Sequence, residues 1–311
     1  MRRSIPAGAW RALPGQALLA ALLAAGPAPA QDWGDTPYVQ TPQNVVEKML
    51  EIARVGPGDY VIDLGSGDGR MVITAAKKYG ARGFGVDLDR KLVALSNRNA
   101  ARAGVAGRAV FYQRDLHATD VSRATVLTLY LLPEVNLMIR GKLLSTLRPG
   151  TRIVSHDYDM GEWAPDLALE MDAPGKSVGI GQRSKVFYWV VPAVASGRWR
   201  WRLPLEGAAR EFDLSLEQLF QKLEGTLTVD GQAAKLAGAS LTGSRIRLAV
   251  EAGEERYEFE GRIIAHAIEG SARVKGKEGT RQANWSAVRT ELREPRHAGL
   301  AAPRFDPDHP R

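Results

Sequence analysis

The residues best placed to do chemistry in this 311-residue chain stand together, in the run Val61-Ile62-Asp63-Leu64-Gly65-Ser66-Gly67-Asp68-Gly69-Arg70. An apolar strand pattern runs into three glycines at alternating positions, and Met71, Val72, Ala75 and Ala76 then recur at helical spacing. Glycine reaches torsions that a Cβ resists and lets a ligand approach backbone. Three of them exceed what a bare strand-to-helix turn needs. Single residues exclude the commonest loops of this kind. The P-loop pattern G-x-x-x-x-G-K-[ST] is absent. The dinucleotide fingerprint needs glycine where Arg70 stands, and the hydrolase elbow needs glycines where Leu64 and Asp68 stand. Asp63 and Asp68 would also repel a pyrophosphate. S-adenosylmethionine carries no phosphate. Its sulfonium, its ammonium group and its ribose diol all suit carboxylates.

Two more acidic positions follow the same logic. The second strand pattern ends Gly85-Val86-Asp87-Leu88-Asp89, which puts Asp87 at a carboxyl end where doubly wound folds bind ligands. A carboxylate there can accept both ribose hydroxyls. The third strand ends Gln113-Arg114-Asp115-Leu116, placing Asp115 to meet the adenine amino group. On the acceptor side, Tyr130 ends the fourth strand, and His156 and Asp157 end the fifth. An acceptor amine is protonated at neutral pH and must lose that proton, so these three are the candidates for orienting or deprotonating it. Ser155-His156-Asp157 is not a hydrolase relay, because neighbours on a strand point to opposite faces. The five histidines lack ligand spacing and cysteine is absent, so neither a metal site nor thiolate chemistry is expected.

The elements that must hold these residues can be read from periodicity. Thr41-Pro42 opens a helix, with Thr41 as N-cap and Val45, Val46, Met49, Leu50 and Ala53 on its apolar face. Strands are expected at Tyr60–Leu64, Gly83–Asp87, Ala109–Gln113, Ala124–Leu129 and Arg152–His156, with helices over about 69–79, 90–103 and 133–147. Leu167–Met171 and Lys185–Val191 form a final antiparallel pair. The result is a Rossmann-like α/β domain on a seven-strand sheet, spanning 31–192.

Past Pro192 the helical signals fade. Short alternating runs take over at Trp199–Leu203, Phe212–Leu216, Leu223–Val229, Ala234–Leu241, Arg245–Glu251, Arg256–Gly261, Ile263–Glu269, Ser271–Val274 and Gln282–Val288. Turn signals such as Asp230-Gly231 and Thr242-Gly243-Ser244 separate them. Eight or nine such strands predict an all-β barrel or sandwich over 193–292, with Trp199, Trp201 and Trp285 in its core. The Pro- and Arg-rich segment 293–311 has no periodicity and is expected to lack structure.

Apolar residues at 44% and charged residues at 25% exclude a wholly disordered or polytopic membrane chain. Three of the seven surplus positive charges are Arg2, Arg3 and Arg11, and the rest are interspersed, so nucleic acid is not the expected partner. Those arginines precede a short apolar stretch, Ala17–Ala25, and the small-residue site Ala28-Pro29-Ala30. That order is a secretory signal peptide over 1–30, half the length of a membrane span. The mature protein is expected to be exported, to the periplasm, with no stable membrane insertion after cleavage.

The D-L-G-S-G-D-G-R loop, the G-V-D-L-D turn and the D-L after the third strand resemble the motifs of the seven-strand S-adenosylmethionine-dependent methyltransferases. Pro37-Tyr38-Val39-Gln40-Thr41-Pro42 and Tyr130-Leu131-Leu132-Pro133 narrow the resemblance to bacterial relatives of the ATP synthase c-subunit lysine methyltransferase. It covers about residues 37–192. The resemblance implies that Asp63, Gly65, Gly67 and Gly69 line the methionine part of the cofactor, Asp87 the ribose and Asp115 the adenine. Tyr38 and Thr41 would close over it, and a protein lysine would be the acceptor. The export signal and the β-rich half depart from that family. Two other readings remain open at this point: an exported S-adenosylmethionine- or nucleoside-binding protein without turnover, and an adaptor led by the β domain.

The leader yields the first test. Mass spectrometry of the processed protein should find an N-terminus at Gln31. An intact Met1 on protein recovered from every cell fraction would remove the export reading.

Overall fold

The structure is a computed structural model that describes residues 38–178, 181–205, 209–277 and 279–299. The leader, the proposed cleavage site and Pro37 lie outside these residues. Four helices and seven strands build the first half. In chain order they are α1 (Gln43–Ile52), β1 (Tyr60–Leu64), α2 (Arg70–Tyr79), β2 (Arg82–Asp87), α3 (Arg90–Arg102), β3 (Ala109–Gln113), β4 (Val126–Leu129), α4 (Pro133–Thr146), β5 (Arg152–His156), β6 (Leu167–Asp172) and β7 (Arg183–Val190). The sheet order is β3-β2-β1-β4-β5-β7-β6, as the seven-strand reading requires. β1 through β5 run parallel, while β7 is antiparallel to both β5 and β6.

This order reverses direction between β1 and β4. Chains leaving those two strands turn to opposite sides and leave a crevice at the carboxyl ends, where open α/β sheets bind ligands. Asp63 on β1, Asp87 at the end of β2 and Tyr130 just past β4 all reach that edge. The strands are apolar on both faces because helices cover both: Ile62, Leu64, Leu127 and Ile153 pack with α4 residues Ile139 and Leu143, while Val61, Val126 and Val154 pack with α1.

One expected cap is corrected. Pro42, not Thr41, is the N-cap of α1, and no side chain caps the helix. The extended torsions of Pro42 place Thr41 one residue outside the helix, and its hydroxyl bonds His156 Nδ1 at 3.1 Å instead.

The second half is a closed eight-strand barrel: β8 (Gly197–Leu203), β9 (Arg210–Leu219), β10 (Lys222–Val229), β11 (Gln232–Thr242), β12 (Arg245–Ala252), β13 (Glu255–Ile264), β14 (Ala267–Gly276) and β15 (Gly279–Leu292). Each strand pairs with the next, and β15 returns to β8. Trp199, Trp201 and Trp285 are buried in its interior as expected, and Trp201 stacks on Phe212 with centroids 4.8 Å apart. One boundary differs. The runs 256–261 and 263–269 are not separate strands, because β13 continues to Ile264 and turns at Ala265-His266. Gly261 lies opposite Gly270 in the ladder, so paired glycines bend the strand rather than end it.

Two turns of the barrel lie against the sheet domain, one at Gly243 beside Gly150 and Val190 and one at Phe220. Phe220, between β9 and β10, adopts a left-handed φ of 54° and is 2% exposed inside the core beneath α4. Its ring lies parallel to Trp163 at 5.9 Å, with the Arg140 guanidinium 5.6 Å from its centroid. Next to it, Gln221 donates to the carbonyl of Ala164 at 2.7 Å. On the far side His297 stacks on Phe220 at 4.9 Å and accepts its backbone N–H at 2.8 Å. The segment expected to lack structure from Arg293 is therefore docked at its start. Arg296–Gly299 form a 3₁₀ turn held by this contact; the remainder lies outside the described residues.

Phe220→Ala should empty the space between Trp163 and His297 and destabilise the protein by about 3 kcal/mol or more. Denaturant unfolding measures it, and an unchanged midpoint would mean that the turn only rests against the sheet.

Candidate cofactor and acceptor site

The glycine loop has the conformation its sequence demands. Gly65, Gly67 and Gly69 have φ of 79°, 54° and 84°, all in the left-handed region. The N–H groups of Gly65 and Ser66 both donate to the carbonyl of Val86 at 2.9 Å, which ties the loop to β2. A Cβ on Gly67 would stand 2.4 Å from the ring of Tyr38, and one on Gly65 2.7 Å from Leu131. Those side chains lie close over the loop, and its left-handed torsions themselves favour glycine. Arg70 clamps it from the other end. Its Nε bonds Asp68 Oδ1 at 2.9 Å, one terminal nitrogen bonds Oδ2 at 2.6 Å, and the other bonds the carbonyl of Thr41 at 2.6 Å. Burial alone would raise the Asp68 carboxyl, but Arg70 outweighs it and holds the group below its usual range.

Asp63 is different. It is buried, accepts the Thr128 hydroxyl at 2.7 Å, and among the described residues has no cation paired with it. Burial, reinforced by the charges of Asp87 and Asp68, pushes its carboxyl up to about 7. The Ser66 hydroxyl close by is buried without a hydrogen-bond partner. A cationic ligand with polar groups would relieve both, so the residues present fit S-adenosylmethionine.

Asp87 spends one oxygen on each of two backbone groups: Oδ2 accepts Gly67 N–H at 2.9 Å and Oδ1 accepts Asp89 N–H at 3.0 Å. A carboxylate has about four acceptor sites, so it can brace the loop and still take a diol. Asp115 stands exposed at the end of β3, where it accepts His117 N–H at 2.8 Å. The loop behind it is fastened by Lys142, which donates to the carbonyls of Leu116, His117 and Thr119. Tyr38 covers Gly67. Thr41 reaches the acceptor side through His156.

The acceptor candidates come together at the ends of β4 and β5. Tyr130 donates to Asp157 Oδ2 at 3.3 Å, and its ring lies 4.0 Å from that of His156. Burial and then the Asp157 charge push the phenol well above its usual range, so it stays protonated. Asp157 curls back with φ 62°, and its Oδ1 accepts Lys185 N–H at 3.1 Å. Ser155 points the other way, to the carbonyl of Tyr158, so no relay forms.

His156 departs from expectation. It is wholly buried, bonded through Nδ1 to Thr41 and through Nε2 to Ser184 at 2.8 Å, and burial pulls its imidazole down to about 4. Both ring nitrogens meet hydroxyls, and the ring lies against Tyr130, so His156 is placed to orient Thr41 and Tyr130.

Two residues escape a reading of the sequence. Asn136, buried on α4, donates to Ser155 Oγ and to the carbonyls of Tyr158 and Asp159, and so shapes the loop after β5. A polar residue on the buried face just after Leu131-Leu132-Pro133 is the available signal. Lys176, between β6 and β7, places Nζ 2.6 Å from Asp157 Oδ2; nothing in its local sequence marks it.

Fold and site together define a class I S-adenosylmethionine-dependent methyltransferase. Residues 63–167 match the family described as the ANTKMT methyltransferase domain. A protein-lysine N-methyltransferase of Saccharolobus islandicus is 42% identical over 137 residues, which are 44% of this chain and 85% of that one. The human ATP synthase c-subunit lysine N-methyltransferase is 35% identical over 130 residues, 42% of this chain and just 55% of its own length. A Salinibacter ruber RNA methyltransferase, solved with S-adenosyl-L-homocysteine, shares 49% identity over 49% of this chain and 94% of that one, at a TM-score of 0.45. The chain belongs to the ANTKMT methyltransferase family, and its cofactor is S-adenosylmethionine.

The raised Asp63 carboxyl sets a pH dependence. A cation beside it favours the ionised form, so binding must expel the proton that the free protein holds below pH 7. Cofactor affinity should fall as pH drops through about 7, by up to about tenfold per unit, and Asp63→Asn should flatten the curve. Calorimetric titrations across that range decide, and a flat wild-type profile would take Asp63 out of contact with the cation.

Proposed function

We propose that the protein methylates the side-chain amine of a protein lysine, using Asp157 to receive the acceptor's ammonium. The observation that carries this reading is the Asp157 carboxylate itself. One oxygen is fixed by Lys185 N–H and the other faces Tyr130, at the strand ends next to the glycine loop. The names of the Saccharolobus and human relatives point the same way.

Each residue has a defined task under this reading. Asp63 would face the cofactor's positive charge, Asp87 its ribose and Asp115 its adenine, while Tyr38 and the three glycines shape the seat. The bound cofactor supplies an electrophilic methyl carbon. Asp157 draws in the protonated amine, takes its proton and passes it to water, which frees the nitrogen lone pair. The C–N bond forms as the C–S bond breaks, leaving a methylated amine and S-adenosylhomocysteine. Tyr130, kept protonated, orients Asp157 by its hydrogen bond. Holding the nitrogen in line with the methyl carbon supplies much of the acceleration.

The leader supports a further part of the proposal, that the mature enzyme works in the periplasm on proteins there. Arg2-Arg3-Ser4-Ile5 bears marks of the twin-arginine route, which carries folded proteins, although two arginines also serve any basic leader. A folded chain can leave the cytosol with one cofactor already seated; an unfolded one cannot.

Cell extract containing both protein and RNA, incubated with the enzyme and methyl-labelled cofactor, should yield label in methyllysine after hydrolysis. Asp157→Asn should slow that transfer about a hundredfold with cofactor binding intact. Label confined to nucleic acid would overturn the lysine reading.

A further inference from the structure

Lys176 turns inward from a connection that is otherwise open to solvent. Its neighbours Pro174, Gly175, Ser177 and Val178 are exposed, yet its own side chain is 7% exposed. Gly175, with φ 81°, makes the turn that aims it at the sheet, and the backbone N–H of Lys176 closes onto the carbonyl of Ala173 at 3.1 Å. The ammonium then lands between Asp157 Oδ2 and the carbonyl of Arg183, 2.6 Å from each. Those partners lie at the ends of β5 and β7, at the carboxylate assigned above to the acceptor.

We infer that Lys176 is a tethered occupant of the acceptor-amine site, which an incoming lysine must displace. This rests on the lysine reading of the site and adds how the site is guarded. The groups facing Asp157 are the Tyr130 hydroxyl, the neutral His156 ring, Lys185 N–H and Lys176. Among them Lys176 supplies the charge that compensates the carboxylate. Removing that charge into water would leave Asp157 partly buried and unpaired, which is strongly unfavourable. Exchanging it for another ammonium keeps the pairing throughout. The site therefore opens to a primary ammonium and stays closed to neutral or anionic groups. The internal lysine also competes at the effective concentration of a short tether, about millimolar, so acceptor binding in the wild type is weakened by that competition. Among the described residues, the connection is closed at its base by Ala173 N–H on the carbonyl of Gln182 at 2.7 Å, and Lys176 itself is held by its ammonium and its N–H, with Val178 exposed beside it.

The probe is n-butylammonium, a lysine side chain without backbone, titrated by calorimetry into the full-length protein. Lys176→Met, which keeps the aliphatic stem, and Lys176→Ala should each bind it at least tenfold more tightly than wild type. Adding Asp157→Asn to either variant should abolish that binding. In transfer assays with a lysine peptide, both single variants should show a KM lowered about tenfold and an unchanged cofactor Kd. Equal n-butylammonium binding by wild type and both variants, at unchanged unfolding midpoints, overturns the inference. So does loss of folding in both, which would make Lys176 a structural ion pair. Tight n-butylammonium binding in the variants with no methyllysine formed by any of them would instead remove the lysine acceptor while leaving the guarded ammonium site in place.

Discussion

Burial of the Asp63 carboxylate, with no cation paired to it among the described residues, is the constraint around which the first half is organised. A strand must carry it to the carboxyl edge, Thr128 on the neighbouring strand must meet it, and the glycine loop must leave a space that a positive charge can enter. Asp68 lies only a few residues on and could not share that space as a second free anion. Arg70 neutralises it and at the same time fastens the chain before α1. One sign of charge is thereby left open and the other is satisfied internally. That division lets the site bind a cation without collapsing onto one of its own.

Much of this is legible in the order of the residues. The five parallel strands and the helices between them fall within a residue or two of their apolar periodicities. The acidic strand ends lie at the crevice because doubly wound topology leaves no other place for them. What sequence hides is contact at long range. Thr41-Pro42 reads as a helix start, and a helix does start there, but proline's extended torsions set the hydroxyl free to find His156, over a hundred residues away. His156 reads as a residue that titrates near neutrality; its burial, which pulls the imidazole down to about 4, and its two hydroxyl partners are set by contacts far away in sequence. Lys176 stands among Pro, Gly and Ser in what looks like an ordinary loop, and only the antiparallel return of β7 brings it to Asp157. In the barrel the alternation is plain, yet two glycines opposite each other bend a strand that a one-dimensional reading would break.

The junction between the halves is the least readable feature. Phe220 sits between two strand runs, at a position where turns favour polar residues, and its neighbour Gln221 looks like ordinary turn chemistry. Its environment is supplied by Trp163, Arg140 and His297, drawn from three separate stretches of the chain. No periodicity can announce a contact of that kind. Trp163 packs between Trp189 of the sheet and Phe220 of the barrel turn.

That packing reaches toward the chemistry by a short path. Trp163 bridges Met160, and the carbonyls of Tyr158 and Asp159 just before it are held by Asn136 from α4. The loop after β5 is thus gripped at one end by α4 and at the other by the barrel's Phe220, with Asp157 at its root. Between these grips the loop is closed by its own bonds, such as Gly161 N–H on Asp159 and Trp163 N–H on the carbonyl of Met160, and Arg140 and Trp189 donate to the carbonyls of Met160 and Trp163. Phe220 at the barrel's edge stacks on Trp163, and Trp163 lies tilted against Trp189 of the sheet, so aromatic contacts run from the barrel to the loop that begins at Asp157. The two halves share one packed junction, and the loop that carries Asp157 is held by side chains from both.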